Sequence, residues 1–283
     1  VSAGGVRALL DAHGLRAHRD LGQNFIVDDH LAERLIERSG VGPDDWVIEI
    51  GTGFGALTRP LAARAARVVT LEIDSGLVRA LRAEGDLPDN VELIHGDALE
   101  LDLAALVADA PGPVRLVANL PYYASAPLLR RLLDLRERLA DWSVMLQSEV
   151  ARRLLAGTGT GDYGSLAVLH RLTVSVSMAM DLSPNCFFPA PNVDSTFIRL
   201  TPLRESPLRP GELEPLERVV RAGFSQRRKT LVNSLRSGGL DVAIEADAIR
   251  QLLAELAIDP RVRAERLEPE QHLALARALA SRR

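Results

Sequence analysis

The stretch DDWVIEIGTGFGALTRPLAARAARVVTLEID, residues 44–74, decides the fold. It alternates an apolar run, a glycine turn, a segment of helical spacing and a second apolar run, which is the pattern of a βαβ unit. Ahead of it, Asp29–Ser39 has helical spacing. Behind it come the short apolar runs VELIH (91–95), VRLVAN (114–119) and WSVMLQ (142–147), separated by helical patterns at Pro127–Leu135 and Glu149–Ala156. Strands alternating with helices predict an α/β domain on a mostly parallel sheet covered on both faces. LTVSVSMAM (172–180) and STFIRLTP (195–202) have no long helix between them and are expected to add an antiparallel edge. TPLRESPLRPGE (201–212), with three prolines and Gly211, reads as a linker. Helical patterns at Leu213–Gly223, Lys229–Arg236, Ala246–Leu256 and Glu270–Ser281 then predict a small all-helical domain. The expected division is 1–204 and 205–283.

The chain has 283 residues, 47% of them hydrophobic, enough for a substantial core. It contains no run of about 18 apolar residues that could cross a bilayer. The opening VSAGGVRALLDAHGLRAHRD is too charged for a signal peptide, so a cytoplasmic location is expected. Cys186 is the single cysteine, which excludes an intrachain disulfide and a cysteine-built zinc site, and the six histidines show no ligand-like pairing. No metal is expected. The formal net charge of −4 argues against a nucleic-acid partner only as an average. Residues 1–200 carry 19 basic and 26 acidic side chains, whereas residues 201–283 carry 15 and 12. Positive charge is concentrated toward the C-terminus.

Gly51, Gly53 and Gly55 follow a strand and precede a helix, where glycine lets the backbone turn sharply and approach a ligand. A plain strand-to-helix turn rarely needs three glycines in five residues, so a nucleotide-type ligand is the better reading. Gly51, Gly53 and Ala56 also satisfy the dinucleotide fingerprint G-x-G-x-x-A, and the motif alone does not choose between cofactors. Glu72, 21 residues after Gly51, closes the next strand, where a carboxylate accepts from ribose hydroxyls. Asp97 ends a third strand and could accept from an exocyclic amine, although an Asp there is often only a helix cap.

The stretch NLPYY (119–123) ends the fourth strand, beyond whose carboxyl end ligands of open α/β sheets bind. The residue types suit methylation of a nucleobase amine. Such an amine has its lone pair delocalised into the ring, and a site must localise it. The Asn119 side-chain carbonyl and the Leu120 backbone carbonyl can each accept one N–H, Pro121 fixes the loop, and Tyr122 offers a face to an extruded base. The alternative is a capped turn with both tyrosines packed in the core.

The series Gly51/Gly53, Glu72 and Asp97 at successive strand ends resembles the class I S-adenosylmethionine-dependent methyltransferases. The resemblance implies a Rossmann-like, mostly parallel seven-stranded sheet with an antiparallel edge, here followed by a small helical domain. A narrower resemblance is carried by LGQNFI (21–26), EIGTGFGALT (49–58), LEID (71–74), GDAL (96–99), NLPYYASAPLL (119–129), MLQSEVARRL (145–154), DYGSLAVL (162–169), FFPAPNVDSTFIRL (187–200) and FSQRRKTLVNSL (224–235). In this order they are similar to the KsgA-type ribosomal RNA small-subunit adenine dimethyltransferases.

That family implies transfer of two methyl groups to N6 of each of two adjacent adenines in a hairpin near the 3′ end of small-subunit (16S) rRNA. A role in small-subunit biogenesis and a monomeric enzyme acting on the pre-ribosomal small subunit are also implied. Asn119 and Leu120 would grip the amine, with Tyr122 stacked on one face of the adenine and Phe187 on the other. Tyr123 is expected to pack. Gln23, Asn24, Gly51, Gly53, Glu72, Ile73, Asp97, Ala98 and Asn119 would hold S-adenosylmethionine. The chain departs from the family at Arg19-Asp20, Asn192 and Gly161, where cations are frequent, which weakens expected phosphate contacts. Lys229, the single lysine beside 33 arginines, lies in RAGFSQRRKTLVNSLR, whose Arg221, Arg227, Arg228, Lys229 and Arg236 carry no acid among them. This segment reads as an RNA-contacting surface. The competing readings are an erythromycin-resistance-type enzyme acting on 23S rRNA, a non-catalytic assembly factor, and a nicotinamide-dependent oxidoreductase.

Overall fold

The computed structural model describes residues 2–18, 22–240 and 245–282. Leu21 of the LGQNFI motif, and Arg19 and Asp20, lie outside the described residues. The elements of the first part of the chain are α1 (Ala3–Ala12), β1 (Phe25–Ile26), α2 (Asp29–Ser39), β2 (Trp46–Ile50), α3 (Thr58–Ala62), β3 (Arg67–Glu72), α4 (Ser75–Glu84) and β4 (Val91–His95). They are followed by β5 (Val114–Asn119), α5 (Ser125–Asp134), β6 (Leu139–Gln147), α6 (Ser148–Leu155), α7 (Ser165–Arg171), β7 (Val174–Leu182), β8 (Phe187–Phe188) and β9 (Ser195–Pro202).

One compact unit comprises residues 1–151 and 176–202. Its seven-stranded sheet has the order β4-β3-β2-β5-β6-β9-β7. Strands β4 to β6 pair in parallel, and β9 runs antiparallel to β6. The local reasons are legible. The Asp28 carboxylate accepts the Leu31 N–H at 3.2 Å to start α2, and Gly40 at φ +73° ends it. Leu35 and Ile36 of α2 and Leu61 of α3 are buried against Val47, Val68 and Val117 of the sheet. Val6 and Leu10 of α1 pack with Phe25, Phe54 and Leu77.

At the end of the sheet away from the glycine turn, a register shift between Val114 and Arg115 sets Asp141 opposite Arg115. Asp141, buried, pairs with Arg115 and with Arg199, and Arg115 Nε also reaches Asp45 at 2.7 Å. This ties β5, β6 and β9 together.

The other unit comprises residues 152–175 and 203–283. It differs from the expected single cut at 204/205 because α7 belongs with α8 (Leu213–Phe224), α9 (Leu231–Ser237), α10 (Ala246–Glu255) and α11 (Pro269–Ala280). Tyr163, just ahead of α7, meets Phe224 edge-on at 5.9 Å between centroids, and Phe224 stacks on His272 at 5.6 Å. The Tyr163 hydroxyl donates to the Leu267 carbonyl at 2.9 Å.

His272 is buried, one ring nitrogen 3.1 Å from the Ala264 carbonyl and the other without a partner among the described residues. Burial holds its pKa down to about 4, against 6.5 for the free side chain. The unfolded chain therefore takes up a proton below pH 6.5 that the folded one refuses until about pH 4. Stability contributed by the neutral ring is complete above 6.5 and is lost as pH falls. Between pH 7 and 5 the loss is about 2 kcal/mol. Urea titrations of the full chain at the two pH values should show it, and His272→Gln should remove that share of the difference.

Candidate active site

Register makes the strand ends level. Ile50 stands opposite Leu71 and Ala118, and Glu72 opposite His95. One position further along, Gly51, Glu72 and Asn119 form a row across three strands, which Asp97 extends two residues past β4. A cleft over this row is lined by Gln23, Asn24, Gly51, Gly53, Glu72, Ile73, Asn119 and Pro121. Gly53 has φ +56°, and a Cβ there would meet the Phe25 ring at 3.2 Å. Only glycine satisfies both constraints.

Glu72 Oε2 accepts the Gly53 N–H and Oε1 the Asp74 N–H, each at 2.9 Å. Burial pushes this carboxyl up against the pull of those amides. Each oxygen keeps a further lone pair for a hydroxyl donor. Below the loop, the Thr70 hydroxyl donates to Glu49 Oε2 at 2.6 Å and the Thr58 hydroxyl to the same oxygen at 2.7 Å. Thr52 Oγ1 lies 2.6 Å from Thr70 Oγ1. With the one Thr70 hydrogen committed to Glu49, Thr52 is the donor to Thr70. Glu49 is 0% exposed and its Oε1 has no partner among the described residues.

The N-terminal segment closes on this row. Gln23 Nε2 donates to Asp74 Oδ2 and Gln23 Oε1 accepts the His18 N–H, both at 2.8 Å. Burial alone would raise Asp74, but the Gln23 amide and the N–H groups of Gly76 and Leu77 hold it below its ordinary value. Asn119 Nδ2 donates to the Asn24 carbonyl at 2.9 Å, so Oδ1 is the atom left to accept. Gly22, at φ +61°, approaches Pro121 so closely that a Cβ would lie 3.2 Å from the proline Cβ.

In the loop after β5, the Pro121 carbonyl accepts the Ala124 N–H at 3.0 Å and the Ser125 hydroxyl at 3.1 Å. Tyr122 is partly buried, its hydroxyl 3.0 Å from Ser195 Oγ. Burial raises its phenol pKa, with the Ser195 bond opposing. Two expectations change here. Tyr123 is not packed: it is 53% exposed, and burial together with the nearby Asp97 and Glu72 carboxylates pushes its phenol up. Phe187 is 4% exposed, paired with Ile26 in the two-stranded ladder β1–β8 and clustered with Met145 and Phe197, so its ring has no open face. Asp97 Oδ1 accepts the Leu99 N–H at 2.8 Å within a turn, and no helix begins there among the described residues, so the helix cap that its position suggested is not formed. Ile73 reaches the cleft, whereas Ala98 is buried.

Reading the sequence alone misses Glu49, Gly22 and Ser195. An acid inside the apolar run WVIEI is the one available signal for the first.

In the helical unit, Arg221, Arg228, Lys229 and Arg236 are exposed. Arg227 Nη2 donates to the Gly161 carbonyl at 2.5 Å and lies 3.9 Å from Glu265, so it also holds a loop in place.

Strand order, register and a glycine turn opposite an Asn-Leu-Pro-Tyr loop make this a class I S-adenosylmethionine-dependent methyltransferase fold. Within that class, the model for ribosomal RNA adenine dimethylase matches residues 14–281, and the chain belongs to that family. The "Ribosomal RNA small subunit methyltransferase A" of Geobacillus thermodenitrificans is 40% identical over 98% of this chain and 95% of its own. That of Geobacter metallireducens is 41% identical over 94% and 96%. Among solved structures, a dimethyladenosine transferase from Plasmodium falciparum superposes with a TM-score of 0.73 at 25% identity, covering 89% of this chain and 95% of its own. The 23S rRNA methyltransferase ErmE gives 0.63 at 28%, covering 91% and 100%.

Burial pushes Glu49 up to about 7 from an ordinary 4.5. The unfolded chain releases this proton first, so the contribution of Glu49 to stability is greatest below pH 4.5 and falls until pH passes about 7. Glu49→Gln, which stays neutral, should gain about 2 kcal/mol relative to wild type between pH 5 and 8 in paired urea titrations.

Proposed function

We propose that this chain transfers methyl groups from S-adenosylmethionine to N6 of two adjacent adenines in a hairpin near the 3′ end of small-subunit rRNA, giving N6,N6-dimethyladenine. The carrying observation is the row itself, in which Asn119 stands beside Gly51. Whatever the glycine turn holds is therefore next to the loop that would hold the base. A ribosomal substrate puts the enzyme in the cytoplasm.

The residues present suit S-adenosylmethionine better than a dinucleotide. None of the described residues lining the cleft is basic, and Glu72 lies in it. A pyrophosphate would face that carboxylate, whereas a donor bearing sulfonium and ammonium groups is favoured by it. Glu72 would accept from the ribose, Asp97 Oδ2 from the adenine amine, and Gly51, Gly53, Gln23, Asn24, Ile73 and Ala98 would complete the surround. When bound, the donor supplies an electrophilic methyl group.

The chain's part is positioning. Asn119 Oδ1 and the Leu120 carbonyl accept the two N–H bonds of the target amine and draw the lone pair out of conjugation. Tyr122 gives the base a stacking face, a contact worth about 1–3 kcal/mol. With Phe187 covered, the second face assigned to it needs a rearrangement of β8. No strong base is required, because the amine becomes acidic once it carries the new methyl group.

Mass spectrometry of purified small and large subunits treated with the protein and labelled donor should find dimethyladenine in the small subunit; a product confined to the large subunit, as the likeness to ErmE allows, would overturn the reading. Asn119→Ala should lower methyl transfer by about 100-fold or more with RNA affinity retained.

Arg221, Arg228, Lys229 and Arg236 are the proposed phosphate contacts, with Arg227 divided between RNA and its own loop. Converting Arg228 and Lys229 to Ala should weaken RNA binding and lower the slope of log affinity against log salt by about 2, with donor affinity unchanged. Filter binding across a salt series reads both.

A further inference from the structure

Ser195 is 0% exposed and opens β9 directly opposite Gln147, the last residue of β6. Its hydroxyl faces that of Tyr122 at 3.0 Å. A ring that only offered a π-face would need no hydroxyl, since phenylalanine presents the same face. Burying the Ser195 hydroxyl fully and Tyr122 in part costs desolvation that one hydrogen bond returns only in part. What the pair does provide is orientation. The ring is held at its para position by Ser195 and at its backbone by the turn closed by the Ala124 N–H and the Pro121 carbonyl.

We propose that Ser195 is a positioning residue which, through Tyr122, fixes the plane on which the target adenine stacks, and that this fixing matters most for the second methyl transfer to each adenine. The inference rests on the dimethyladenine reading above.

The asymmetry between the two transfers follows from counting hydrogens. An unmodified N6 carries two N–H bonds, and Asn119 Oδ1 and the Leu120 carbonyl can hold both. In each transfer the nitrogen lone pair forms the N–CH3 bond, the methyl–sulfur bond breaks with its electron pair left on sulfur, and one N–H proton leaves to water. After the first transfer a single N–H remains, so one of the two acceptors is idle. A base held by one hydrogen bond can swing about it, and the stacking plane becomes the main restraint on where the lone pair points. A tilted Tyr122 is thus tolerated in the first transfer and damaging in the second.

The test uses Ser195→Ala, Tyr122→Phe and the double variant. Products are quantified by mass spectrometry as N6-methyladenine and N6,N6-dimethyladenine. Base stacking is read without donor, from the fluorescence quenching of 2-aminopurine placed at the target position of a small-subunit hairpin. Each single variant should raise the ratio of monomethyl to dimethyl product by about 10-fold, the effect of one hydrogen bond of ordinary strength, and reduce the quenching. The double variant should be no worse than either single one, because both remove the same bond. Tyr122→Phe leaves Ser195 in place and carries the test if Ser195→Ala does not fold. Unchanged ratios in the variants, equal slowing of both transfers, or additive effects in the double variant would overturn the proposal. A wild-type protein that stops at monomethyladenine would instead overturn the dimethylation reading, and this proposal with it.

Discussion

Parallel pairing in register is the constraint on which the site depends. Gly51, Glu72 and Asn119 come from three separate stretches of chain and meet only because Ile50, Leu71 and Ala118 are level across β2, β3 and β5. A slip of one residue would displace a member of the row by about 3.3 Å and turn its side chain to the other face of the sheet. The buried Asp141, shared by Arg115 and Arg199, acts at the opposite end of the strands. Ion pairs of this kind gain little net stability after desolvation. They do make other registers of β5, β6 and β9 costly, because any of them would leave a charge buried without its partner.

A second constraint couples the two halves of the site. Residues 22–24 touch the Pro121 loop through Gly22, the acidic turn after β3 through Gln23, and the Asn119 amide through Asn24. The Asn24 contact has a chemical consequence. An Asn amide can flip, and one flip would present donors to an amine that also donates. Committing Nδ2 to a backbone carbonyl selects the orientation in which Oδ1 accepts.

Much of this was legible in the sequence because local signals agreed with the fold. Helix α2 runs from Asp29 to Ser39 as its spacing predicts, with an Asp cap before it and a glycine after it. The strands ending at Glu72, His95 and Asn119 also fall where the apolar runs place them. What escaped depends on partners distant in the chain. Helix α7 carries the short apolar run Leu166–Leu169, which suits packing on a sheet or on other helices alike, and the structure groups it with the C-terminal helices. Phe187 and Tyr123 are aromatic residues beside motifs, and no periodicity says that Ile26 would cover the first while the second stays open. Ser195 is one serine among many until Tyr122 is seen against it.

The Glu49 chain shows why such a site tolerates groups that stability alone would discard. A fully buried carboxyl with one oxygen unpartnered among the described residues is a net cost that grows as pH rises toward about 7, and it is limited only because part of the population stays protonated at neutral pH. An apolar residue in its place would remove that cost but leave the Thr58 and Thr70 hydroxyls without an acceptor, each a penalty of about 1–3 kcal/mol. The acid and its threonines therefore stand or fall as a unit. What they achieve together is directional: Thr52 donates to Thr70 and Thr70 to Glu49, so the glycine turn is moored to β3 from beneath.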